Sequence, residues 1–81
     1  MDSSLLSIQP NAPEPLYRQI TGQIRRLVAG GQLSPGDALP SVREVAGLHA
    51  INPMTVSKAY SQLEAEGVLV RLRGKGMVIA D

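Results

Sequence analysis

Residues 41–67 read SVREVAGLHAINPMTVSKAYSQLEAEG, and that stretch spells two short helices joined by a tight turn. Ser41 is placed to cap a helix, and Glu44, three residues on, completes a capping box. In such a box the serine oxygen takes one orphan backbone N–H and the glutamate reaches back to another. The helix is predicted from about Val42 to His49, with Val42, Val45, Ala46 and Leu48 turned inward. Ala50 and Ile51 form a tight connection. Asn52 caps a further helix, and Pro53 fits its first position, where the missing N–H has no partner to lose. Val56, Ala59, Tyr60 and Leu63 supply the buried stripe, and Gly67 stops the helix. Helices joined by only about three residues must cross steeply, which is the geometry of a helix-turn-helix.

Toward the N-terminus, a first helix is predicted to start near Pro15. Leu16, Ile20, Ile24, Leu27 and Val28 form its apolar stripe, and Gly30-Gly31 ends it. Ser34-Pro35-Gly36-Asp37 is a turn, and Ala38-Leu39 a short extended piece. Residues 1–14, with Pro10 and Pro13, read as a flexible N-terminal arm. Toward the C-terminus, Val68-Leu69-Val70 reads as a strand, Arg71 to Gly76 as a glycine-containing loop and Met77-Val78-Ile79 as the returning strand. The predicted fold is mainly α with a small β hairpin: a winged helix-turn-helix of three helices plus a β wing, over residues 15–81.

Composition narrows the chemistry. Hydrophobic residues are 43% and charged residues 19% of the 81, ordinary for a globular fold and too apolar for a disordered tail. No apolar run approaches the ~20 residues that cross a bilayer, and the N-terminus lacks the pattern of a secretory signal. Without cysteine there is no disulfide framework or thiolate-bound zinc, and a cytoplasmic location is compatible. His49 is the single histidine. Asp37, Glu44, Glu64 and Glu66 are accounted for as caps, turns and helix ends. No catalytic residues, metal ligands or cofactor are therefore expected, and no enzymatic activity. Two aromatics, Tyr17 and Tyr60, are few for a reader of single strands or RNA, which works by stacking.

The surface chemistry points to duplex DNA. A recognition helix in a major groove needs a polar, compact face free of acids. Thr55, Ser57, Lys58 and Ser61 lie opposite the buried stripe, and the first acid on the helix is Glu64. Any solvated amphipathic face carries similar groups. The hairpin adds Arg73-Gly74-Lys75-Gly76, two cations between glycines at a tip, suited to phosphates or a narrow minor groove. An ordinary glycine turn with solubilising charges has the same composition. From Val68 onward the basic residues are Arg71, Arg73 and Lys75, against the terminal Asp81 alone. A winged-helix protein-interaction module without DNA binding is the alternative from another class. It would need an exposed apolar patch.

The run Leu33-Ser34-Pro35-Gly36-Asp37-Ala38-Leu39-Pro40-Ser41-Val42-Arg43-Glu44-Val45-Ala46 resembles the signature of the GntR family. Thr55-Val56, Leu63 to Gly67 and Gly74-Lys75-Gly76 match it too, so the resemblance covers residues 15–80. The spacing from Asn52 to Tyr60 is similar to the YtrA-like branch, with the MocR-like branch second. The resemblance implies a metabolite-responsive bacterial repressor that binds an inverted-repeat operator as a homodimer. It implies DNA contacts from Arg43, from Asn52, Thr55 and Ser57 at the start of the recognition helix, and from Arg73, Gly74 and Lys75 in the wing. Ser41, Met54, Lys58, Arg71 and Gly76 complete the candidate DNA-binding set.

Three positions depart from the family pattern. Many members carry arginines where Pro53 and Ser57 stand, and arginine reads guanine bidentately. Met54 stands where the YtrA-like pattern often has asparagine; methionine there either packs on a thymine methyl or is merely exposed. The family places an effector-binding or dimerisation part after the wing. With the chain ending at Asp81, that part is expected to be absent, and any small-molecule effector would act through it.

Overall fold

Leu16–Ala29 forms helix α1 in the computed structural model, which describes residues 6–81. Pro15 is its N-cap rather than a residue of its first turn, and its carbonyl accepts from the amides of Arg18 and Gln19. At the other end the cap, Gly30, is right-handed, and Gly31 takes the left-handed conformation at φ 80°. α2 spans Val42–His49 and α3 spans Pro53–Ala65. The capping box is complete: Glu44 N donates to Ser41 Oγ at 3.1 Å, and Ser41 N donates to Glu44 Oε1 at 3.1 Å. Asn52 Oδ1 accepts from Met54 N at 2.9 Å, with Pro53 opening the helix.

The α2–α3 connection turns on Ala50. Its φ is 54°, and among the described residues it is the one non-glycine with positive φ. The amides of both Ala50 and Ile51 return to the carbonyl of Ala46, closing the end of α2. Leu48, expected inward, is 56% exposed. The short helix buries the stripe through Val45 and Ala46, with Val42 and His49 half-buried beside it, and Leu48 falls off that stripe.

β1 (Leu69–Leu72) and β2 (Gly76–Ile79) pair antiparallel, with Leu69 opposite Ile79 and Leu72 opposite Gly76. The strands are longer than the sequence suggests. Arg71, Leu72 and Gly76 lie in the ladder, because antiparallel pairing continues up to the short reversal between Leu72 and Gly76. Only Arg73, Gly74 and Lys75 remain at the tip. The predicted extended piece lies along the outer edge of β2: Leu39 N donates to Met77 O, Ile79 N to Asp37 O, and Gly36 N to Ile79 O.

One core joins these parts. Ile20 and Ile24 of α1, Val45 of α2, Val56 and Leu63 of α3, and Leu69 and Ile79 of the hairpin are all nearly sealed from water. Tyr60 is buried with them, and its hydroxyl donates to Pro40 O at 2.7 Å. Burial pushes its phenol well above the ordinary value, and the Glu44 carboxylate adds to that push, so the hydroxyl stays a donor.

The N-terminal segment needs a correction. Residues 1–5 of the expected flexible arm lie outside the described residues, but residues 6–14 are held. Leu6 is buried in the core. The buried amide of Gln19 accepts from Gln9 N at 2.8 Å and donates to Gln9 O at 3.0 Å and Glu14 O at 2.9 Å. Gln23 pairs with the backbone of Ser7 in the same two-way manner. Two α1 glutamines thus supply the backbone partners that secondary structure would otherwise give.

Arg25 of α1 grips Glu66 at the end of α3 through two parallel bonds, Nε to Oε1 at 3.0 Å and Nη2 to Oε2 at 2.7 Å. That accounts for one of the two acids near the α3 C-terminus.

Two stability outcomes follow. An L-residue in the left-handed region costs roughly 1–2 kcal/mol, and glycine's freer unfolded chain gives back about 0.4–1. Ala50→Gly should therefore stabilise the fold by about 0.5–1 kcal/mol, read as a higher urea midpoint with unchanged slope; the exposed Ala50 β-carbon has no packing to lose. The Arg25 hydrogen bonds, then that from Gln62, hold the Glu66 carboxyl below its ordinary value. Its contribution is complete above the ordinary carboxylate range and is lost as pH falls through the lowered value. The melting temperature of the unmodified chain should thus fall more steeply on acidification through that range than that of Glu66→Gln.

Candidate nucleic-acid interface

The outward face of α3 is set by its buried one. Val56, Ala59, Tyr60 and Leu63 take the core side. Met54, Ser57, Lys58 and Ser61, spaced three and four apart, share the opposite side, and all four are exposed. Thr55, grouped with that face in the sequence, is half-buried at its border. No carboxylate interrupts the face before Glu64.

Between this face, the start of α2 and the root of the hairpin lies a cleft of about 270 Å³. Ser41, Ser57, Arg71, Lys75 and Gly76 line it, so five of the twelve candidates meet in one place. Tyr60 and Met77 belong to its apolar lining, and Glu44 is its acid, held in the capping box. Arg43, Met54, Lys58, Arg73 and Gly74 are exposed outside the cleft, on α2, on α3 and at the hairpin tip. Ser41 and Asn52 act first as caps: each side-chain oxygen accepts a backbone N–H of its own helix.

At the tip, Lys75 N donates to Leu72 O at 3.1 Å, and Gly74 and Gly76 sit at φ 81° and 76°. The turn itself demands both glycines. Their conformation leaves Arg73 and Lys75 exposed on either side of Gly74. Among the described residues no ion pair engages Arg43, Arg71, Arg73 or Lys75.

Lys58 is placed by a residue that the sequence did not nominate. Its ammonium lies 4.0 Å from the centroid of the Tyr17 ring on α1, a cation–π contact. Arg18 Nε donates to the Tyr17 hydroxyl at 3.4 Å. That bond and the Arg18 charge, then Lys58, hold the phenol below its ordinary value. Tyr17, Arg18 and Lys58 thus form a cationic cluster flanking the α3 face. Tyr17 and Lys58 are far apart in the chain, and no linear pattern pairs them.

Among the described residues no three His, Cys, Asp or Glu side chains are grouped to hold a metal ion. No helix there is long and apolar enough to cross a membrane.

Three similarities bear on this arrangement. The family model for bacterial regulatory proteins, gntR family, matches residues 16–79. The HTH-type transcriptional repressor YtrA of Bacillus subtilis (strain 168) is 47% identical over 77 residues, 95% of this chain and 59% of the repressor. The chain therefore spans less than two thirds of that relative's length. The structure of YtrA from Sulfolobus acidocaldarius, a GntR-family transcription factor, is similar with a TM-score of 0.86 at 41% identity, covering 93% of this chain and 64% of that one. The winged helix-turn-helix expected from the sequence is the fold observed.

The Lys58–Tyr17 contact has a direct readout. The ring should shift the Lys58 ε-methylene protons upfield in the NMR spectrum, and Tyr17→Leu should abolish that shift while Tyr17→Phe keeps it.

Proposed function

Because the chain belongs to the gntR family of bacterial regulatory proteins, we propose that it reads double-stranded DNA as the winged helix-turn-helix part of a transcriptional repressor. The observation that carries this reading is the cleft where the acid-free face of α3 meets the basic root of the wing. α3 enters the major groove, which admits one helix, and presents Met54, Ser57, Lys58 and Ser61 to it. Arg73 and Lys75 reach the minor groove or its rim, where the potential favours cations. Arg43 projects from the first turn of α2, and Arg71 serves the phosphates beside the cleft. The capped starts of α2 and α3, at Ser41 and Asn52, add backbone dipoles of the sign that attracts phosphate.

The placement of the acids supports this polarity. Glu66 is paired with Arg25 and Glu44 with the Ser41 amide, and Glu64 lies toward the far end of α3. We further propose an inverted-repeat operator, bound by a homodimer in the cytoplasm, with effector sensing outside these residues. The whole protein does its chemistry by binding, not by catalysis.

Selection of bound duplexes from a random pool should return one palindromic sequence. On it, the log-affinity versus log-salt slope should steepen by about 0.9 for each phosphate neutralised. Arg43→Ala should cost roughly 1–3 kcal/mol and relax preference at one base pair; equal loss on every sequence would make it a phosphate contact instead. Binding without preference at physiological salt would overturn sequence-specific reading. In a protein-interaction module, Lys58, Arg73 and Lys75 would be dispensable.

A further inference from the structure

Resting on that DNA-reading function, we propose that Met54 is a specificity-determining residue that reads the 5-methyl group of a thymine in the operator's major groove. Met54 is 77% exposed, the most exposed large apolar side chain among the described residues. It is the second residue of α3 and lies near the middle of the outward face, opposite Val56, Ala59, Tyr60 and Leu63. Pro53 at the first helical position and the Asn52 cap on the Met54 amide fix the backbone from which it projects. The N-terminal turn of a recognition helix is where side chains meet base edges.

Chemistry selects the partner. The other exposed groups on this face are two hydroxyls and an ammonium, from Ser57, Ser61 and Lys58, and these match base and phosphate oxygens and nitrogens. A thioether chain does not. The apolar group presented on base edges in the major groove is the thymine C5-methyl, and an unbranched methionine adapts to its position. The first two turns also lack an arginine that would read guanine. Lys58, Ser57 and Ser61 remain to meet donors and acceptors, and Met54 is the group on this face that can report a methyl.

The test uses the full 81-residue chain and the duplex selected from the random pool. Each thymine is replaced singly by deoxyuridine, which deletes the methyl and keeps the pairing edge. At one thymine or its symmetry mate, the unmodified chain is expected to lose about fourfold in affinity, the equivalent of one buried methyl. Met54→Ala is expected to bind more weakly to the thymine duplex and to lose nothing further at that position. In the unmutated chain, the 13C-labelled Met54 ε-methyl resonance should differ between the thymine and deoxyuridine complexes. Indifference to every deoxyuridine, or a loss that persists undiminished in Met54→Ala, overturns the assignment of Met54 and leaves DNA reading intact. Failure to bind any duplex overturns both.

Discussion

The three-residue passage from His49 to Pro53 is the constraint on which the rest of the molecule depends. Ala50 reverses the chain by entering the left-handed region, and two amides then return to the single carbonyl of Ala46. With so little chain available, α3 can leave α2 only at a steep angle. The Tyr60 hydroxyl fixes that angle from the other side by holding Pro40, just before α2 begins. The direction in which α3 shows Met54, Ser57, Lys58 and Ser61 is a consequence of these two devices. Neither device uses a residue of the outward face.

The wing is fastened by a different means. β2 is bonded along one edge to β1 and along the other to residues 36–39, so its root is held from both sides. Leu69, Met77 and Ile79 seat that root in the core. Beyond it, only Arg73, Gly74 and Lys75 extend past the ladder. The cations of the wing therefore sit on a short tip with a rigid base. Arg71 and Lys75 line one cleft with Ser57 and Ser61.

Local signals made most of the fold legible. The Ser41–Glu44 box, the Asn52-Pro53 start and the Gly67 stop act within one turn of chain, and each stands where the sequence places it. What escaped was non-local. Gln19 and Gln23 fasten residues 7–14 by side-chain amides, which carry no periodicity. Arg25 meets Glu66, and Lys58 meets Tyr17, across the α1–α3 interface. Arg71 and Leu72 carry the local signature of a loop, a charge and nearby glycines, yet cross-strand pairing prolongs the ladder through them. In the candidate site the residue types were readable, but their grouping was not. Thr55 turned partly inward, and Ser41 and Asn52 had structural duties that leave their roles toward a ligand secondary.

The exposed face of α3 and the capping residues at its start are distinct sets, and this has an evolutionary meaning. Met54, Ser57 and Ser61 contribute nothing to the buried core. They can be exchanged with little effect on folding, whereas Asn52, Tyr60 and Pro40 are tied to the scaffold. On the DNA-reading role proposed for this face, a lineage built on this plan would drift among operator sequences by single substitutions, each tested by selection for regulation alone. Its scaffold persists while its reading vocabulary diverges.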